Sequence, residues 1–179
     1  EQDDKTSDKA SDTAPAEQEA VVDDGPKPQP EGAPTPEKDP VALHPIDPKV
    51  PDLSAEAKAM GKGERKKAAR GLRRRASIAL RDGDVAGSER LVLESLTYDP
   101  GSGSAARDMA LIYIEKKRLP EALGWALRAT EVAPRAPDAH LTLGDVYQAA
   151  AMPQAARESF QRVLELDPDN AEAKTKLAP

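Results

Sequence analysis

The stretch PDAHLTLGDVYQAAAMPQAARESFQRVLELDPDN, residues 137–170, decides the fold. Its apolar residues fall in two stripes, Leu143, Val146, Tyr147 and Ala150, then Ala156, Phe160, Val163 and Leu164. Spacings of three and four belong to amphipathic helices, because 3.6 residues complete a turn and residues so spaced share one face. Pro153 stands between the stripes and Pro168 behind the second. Proline is tolerated in a helix's first turn but removes a hydrogen bond from its interior, so Pro153 marks a start and Pro168 a stop.

Sliding the chain against itself brings this stretch into register with two earlier ones at an offset of 34 residues. Ala76, Ala110 and Gly144 align, as do Ala79, Tyr113 and Tyr147, then Ser88, Ala122 and Ala156, then Val92, Ala126 and Phe160, then Pro100, Pro134 and Pro168. A fixed period of this length is the mark of a stacked repeat array. Small residues in the first and third columns allow two helices to approach closely, while Tyr113, Tyr147 and Phe160 fill gaps between turns. Helices are expected at about 64–81, 84–98, 103–117, 119–132, 137–150 and 153–166, with a partial one from 171 and Asp84 as an N-cap.

Residues 137–170 resemble the tetratricopeptide repeat through Leu143, Gly144, Tyr147, Ala156, Phe160 and Pro168, with His140 where a tryptophan is usual. Residues 103–136 share Ala110, Tyr113, Ala122, Ala129 and Pro134 with it, and residues 69–102 share Leu72, Ala76, Gly83 and Pro100. The resemblance implies an all-α, short right-handed superhelix of three hairpins, 69–102, 103–136 and 137–170. A basic helical lead-in at 53–68 precedes them and a partial capping helix at 171–179 comes after. It also implies a concave groove lined by each repeat's first helix: Arg70, Arg73, Ser77, Leu80 and Arg81, then Ser104, Arg107, Leu111, Ile114 and Glu115, then Asp138, Leu141, Asp145, Gln148 and Ala149. Such a groove is basic at one end, apolar in the middle and acidic at the other. It would suit an acidic or acidic-apolar peptide, with Arg73 and Arg107 as bidentate anchors for a carboxylate or phosphate. Family members that clamp a C-terminal carboxylate use asparagines where this chain has Ser77, Leu111 and Asp145.

The remainder of the chain differs in kind. Residues 1–52 carry 14 acidic against 5 basic side chains and 10 of the 17 prolines, without an apolar period. They are expected to form a disordered, self-repelling acidic tail. Within it, Val41–Val50 is either part of a solvated spacer or a short docking motif. Residues 53–81 reverse the balance, with 10 basic against 2 acidic side chains. The run 62–81 is read first as a solvated helix face; the alternative is an anion-binding module for nucleic acid or an anionic membrane surface. Nucleic acid is disfavoured because no aromatic interleaves with the cations and the net charge is −6.

The same composition argues against catalysis. There is no cysteine, there are two histidines, and Gly61-Lys62-Gly63 and Gly101-Ser102-Gly103 lack the surroundings of a phosphate loop. No cofactor and no metal are expected, and no stretch is apolar enough to span a membrane. A chain beginning at Glu1 is expected to be a processed product or a fragment, since an initiator methionine before glutamate is normally retained. An acidic, proline-rich tether suits the periplasmic side of a bacterial cell envelope, with the cytoplasm as the alternative. The expected function is a non-catalytic protein–protein interaction scaffold working within a larger assembly.

Overall fold

The computed structural model describes residues 43–178; the expectation of disorder for residues 1–42 lies outside them. Eight helices follow in order: α1 (Ala55–Ala59), α2 (Lys62–Arg81), α3 (Val85–Tyr98), α4 (Gly103–Glu115), α5 (Leu119–Val132), α6 (Pro137–Ala149), α7 (Pro153–Leu166) and α8 (Ala171–Leu177). The described residues contain no strand. Helices α2/α3, α4/α5 and α6/α7 form three hairpins, and α8 packs on α7. The first helices α2, α4 and α6 touch their counterparts in the next hairpin, whereas α3, α5 and α7 are splayed apart. The first helices therefore line the inner side of the curve and the second helices its outer side.

Local chemistry sets the boundaries. Side-chain oxygens of Asp84, Ser102 and Asn170 accept the amides of Gly87, Ala105 and Ala173 at 2.8, 3.2 and 3.0 Å, satisfying donors that a helix start leaves free. Helices α5, α6 and α7 instead place Pro120, Pro137 and Pro153 in the first turn. Within each hairpin the turn passes through a left-handed residue: Gly83 (φ 84°), Lys117 (φ 56°) and Ala151 (φ 55°), spaced by the same 34 residues.

A single apolar core runs through the stack, built from Val92, Leu96, Met109, Ile112, Leu123, Trp125 and Val146 between tightly packed alanines such as Ala76, Ala110, Ala122, Ala126 and Ala129. Gly144 shows why small residues recur at these positions, since a Cβ there would stand 2.3 Å from the Phe160 ring. Ala156 and Phe160 are buried, and Tyr113 and Tyr147 are half-buried against the core. Pro100 and Pro134 lie in the turns between hairpins, and Pro168 in the turn before α8. The buried hydroxyls of Ser95, Thr142 and Ser159 donate back to carbonyls of their own helices, so they enter the core without an unmet donor.

One boundary differs from the sequence reading. Residues 43–52, read as part of the solvated tail with a docking motif at Val41–Val50 as the alternative, pack against the second hairpin: Leu43 and Val50 join the core, and the Ile46 amide donates to the Pro120 carbonyl at 3.0 Å. The physical reason lies in α5, where Gly124 presents bare backbone to the Ile46 carbonyl.

Candidate functional site

The inner face of the stack is the first candidate. Between α2, α3 and α4 it opens into a cavity of about 450 Å³. Ala76, Leu80, Val92, Leu111 and Ile112 give it an apolar wall, and Ser77, Arg81, Arg107, Asp108 and Glu115 surround that wall with polar groups. The opening thus combines an apolar wall with a polar rim. Ile114 and Leu141 are half-buried, and Ser77 donates to the Arg74 carbonyl at 2.9 Å within its own helix.

The charged residues of this face are arranged differently from the expectation of free cationic anchors. Arg73 Nε donates to Asp108 at 2.6 Å, and Arg107 divides its guanidinium between Asp108 at 3.3 Å and Asp138 at 2.7 Å. Arg107 Nε is buried without a partner. At the other end Lys176, from α8, reaches Asp145 at 2.8 Å and the Gln148 side-chain oxygen at 3.0 Å. Arg73, Arg107 and Asp145 thus bond within the protein, so the acidic end of the expected gradient is neutralised while Arg70 keeps the α2 end basic. The partners lie 35 or 31 positions apart, one repeat plus one residue or minus three, so that the arginine pairs bridge neighbouring hairpins and Lys176 ties α8 to the third. Sequence reasoning missed Asp108, Asp138 and Lys176 as neutralising partners; a search for opposite charges near the repeat length would have found them.

Along α2, Lys62, Arg65, Lys66, Lys67, Arg70, Arg74 and Arg75 form a row of cations without a carboxylate partner among the described residues. They spread over a helix about 30 Å long. Arg70 Nε donates to the Lys66 carbonyl at 3.2 Å, and Arg81 has only Asp82 nearby, at 3.6 Å. Lys66, Arg70, Ser77 and Arg81 recur at helical spacing on the flank that also carries Arg73, beside the groove.

Behind the groove, Glu89 ties α3 to the α4–α5 turn. It accepts from Lys116 at 2.7 Å, and Lys116 and Arg118 stand 5.2 and 5.1 Å from the Tyr113 ring centre. Burial pushes the Glu89 carboxyl up, but the bonds from Lys116 and Tyr113 together outweigh it and hold the group below its ordinary value. Burial, and then the bond to Glu89, raise the Tyr113 hydroxyl. Arg118 pairs with Glu121 and lowers that carboxyl also. His140 sits 3.0 Å from the Pro134 carbonyl, and Trp125 is buried. Among the described residues no group of His, Asp and Glu is placed to hold a metal ion, and no helix is long and apolar enough to cross a membrane.

Two family models, both described as tetratricopeptide repeat, match residues 73–140 and 137–170. No curated protein matches the chain. Among solved structures, the first TPR domain of human RPAP3 is 21% identical with a TM-score of 0.60, the match covering 63% of this chain and 88% of that one. The first TPR of Spaghetti (RPAP3), bound to the HSP90 peptide SRMEEVD, is 21% identical with a TM-score of 0.58 over 63% and 89% of the two chains. A mutant O-GlcNAc transferase of Thermobaculum terrenum is 28% identical with a TM-score of 0.60, over 66% of this chain and 22% of that one. The family models run without a gap across all three hairpins from residue 73 to residue 170, and the close packing of small residues at each period is what that repeat demands: the chain belongs to the tetratricopeptide repeat family.

Proposed function

We infer that the protein is a non-catalytic interaction scaffold whose inner groove holds a segment of a partner protein. The observation that carries this reading is the apolar cavity between α2, α3 and α4, open to solvent beside a row of cations that lack a carboxylate among the described residues. A partner segment with one apolar side chain fits the cavity, and acidic groups a few residues away meet Lys66, Arg70 and Arg81 on α2. The structural neighbour holding SRMEEVD supports a peptide as the ligand. The chemistry for gripping a terminal carboxylate is weak here, with Ser77, Leu111 and Asp145 at the asparagine positions, so an internal acidic-apolar segment is the better ligand.

The test is an array of acidic peptides, each with a single apolar residue, probed with the protein and with Leu111→Glu, which places a charge in the cavity wall. Binding is expected to need both the acidic and the apolar residue and to fall at least tenfold in Leu111→Glu. Peptides retained equally by the variant, at unchanged thermal stability, would refute groove binding. A second reading rests on the α2 cations alone: the segment 62–81 as an anion-binding module for nucleic acid or an anionic membrane surface. It predicts binding to nucleic acid or anionic vesicles that ignores Leu111→Glu, is lost in Lys67→Glu/Arg74→Glu, and weakens steeply with salt.

A further inference from the structure

The outer side of the stack carries a second site. Because α3 and α5 are splayed, a channel runs between them, and residues 43–54 lie in it without helical or strand structure. The segment begins beside the first turn of α5, where the Ile46 amide donates to Pro120, and ends at the last turn of α3, where the Ser54 amide donates to the Thr97 carbonyl at 3.0 Å. Pro45, Pro48 and Pro51 recur every third residue, which keeps the backbone extended.

The channel is shaped for this backbone at one residue. A Cβ on Gly124 would stand 1.9 Å from the Ile46 carbonyl oxygen, so any side chain there excludes the segment. One repeat earlier and later the same position holds Arg90 and Glu158. A glycine in a helix interior weakens the helix, and close approach of another backbone is the compensation visible here.

The fit is partial. Two amide bonds and the half-buried Leu43, Pro48, Val50, Pro51 and Leu53 hold about a dozen residues whose ordering opposes binding. The Ile46 side chain is 50% exposed, and a cavity of about 230 Å³ remains between Pro45, Pro48 and the α5 residues Leu127 and Arg128. We propose that the channel between α3 and α5 is a peptide-binding site for an extended, proline-containing segment, and that residues 43–53 are its built-in and exchangeable occupant. The site is separate from the inner groove and does not depend on the groove's ligand.

The probe is a labelled peptide of residues 43–53, LHPIDPKVPDL, titrated against the full chain and followed by fluorescence anisotropy. In Leu43→Asp/Val50→Asp the chain's own segment is loosened and the site is left intact, so the peptide should bind at least tenfold more tightly than to the unchanged chain. Adding Gly124→Val should abolish binding, with helicity and melting temperature monitored to exclude unfolding. A peptide carrying Ile46→Pro, which lacks the amide for Pro120, should compete at least tenfold more weakly, and this arm leaves the protein untouched. Leu111→Glu in the groove should change nothing. The proposal is overturned if the loosened chain, with its helices intact, fails to bind the peptide. It is equally overturned if binding survives Gly124→Val or if the Ile46→Pro peptide competes as well as the original.

Discussion

Replacing Asp108 by asparagine tests whether the inner face is held together by charge. Asp108 is the shared acceptor of Arg73, at 2.6 Å, and Arg107, at 3.3 Å. Both partners of the shorter contact are shielded, with 19% and 18% of their side chains exposed. Exposed ion pairs contribute about 0–1 kcal/mol, and hydrogen bonds to charged groups roughly 1.5–3 kcal/mol. A pair at this depth lies between those ranges, so Asp108→Asn should cost about 2 kcal/mol. The substitution keeps the shape, removes the charge, and turns an –NH2 group toward one of the two guanidiniums. For a domain of this size each kcal/mol lowers the melting temperature by roughly 3 °C, giving a fall of about 6 °C. Urea unfolding should show a lower midpoint at unchanged slope, and a cycle with Arg73→Met should return a coupling of about 1–2 kcal/mol. The Arg73 guanidinium, left without a carboxylate while Arg107 keeps Asp138, should at the same time increase affinity for acidic peptides in the groove. Loss of stability below 0.5 kcal/mol with no coupling to Arg73 would refute the argument that these bridges stitch the hairpins together.

Particular contacts elsewhere in the stack set further outcomes. Lys117→Gly and Ala151→Gly should each stabilise by about 0.5–1 kcal/mol in thermal melts, because a left-handed φ strains a residue with a Cβ, while Gly83→Ala in the equivalent turn should destabilise by about 1–2 kcal/mol. The Glu89 carboxyl is held below its ordinary value in the fold, so its contribution is complete above about pH 4.3 and is lost as pH falls through the folded value; Glu89→Gln should flatten the acid limb of stability against pH in urea titrations. Tyr113 has the opposite sign: its raised hydroxyl favours the fold below about pH 10 and that contribution disappears as pH rises through the folded value, an effect that Glu89→Gln should reduce. Phe160→Ala should cost about 3–5 kcal/mol in urea unfolding by opening a void over Gly144, and should loosen α8, whose Lys176 stands 5.8 Å from the ring centre.

The hairpins were legible because their signal is repeated. Proline at 100, 134 and 168, and small residues at 76, 110 and 144, report a property of every repeat, so each position checks the other two. The short helix α1 had no such support: five residues capped by Ser54 form no periodic stripe. The groove's lining was an expectation from the resemblance to the repeat family, whose first helices face the concave side. Its charge pairing is a product of the fold, because Arg73 meets Asp108 only after the stack has closed. Residues 43–52 were the hardest to read. An acidic, proline-rich stretch has the composition of a solvated spacer whether or not a channel awaits it, and the deciding residue, Gly124, lies more than 70 positions away.

That asymmetry has a physical basis. A repeat array uses the same solution at each period for packing, so a position whose residue type recurs is explained by the fold, as with Ala76, Ala110 and Gly144. A position that breaks the recurrence at a cost requires another cause. The column Arg90, Gly124, Glu158 is such a break: the two flanking residues are good helix formers on an outer helix, and the middle one gives up about 1 kcal/mol of helix propensity. If packing within α5 were the reason, Gly124→Ala should be unfavourable even in a chain whose 43–53 segment has been loosened. If the approach of Ile46 is the reason, the same substitution should destabilise the unchanged chain and stabilise the loosened one by about 0.5–1 kcal/mol. The change of sign between the two backgrounds, measured by urea unfolding, separates a glycine kept for its own helix from one kept for the segment lying across it.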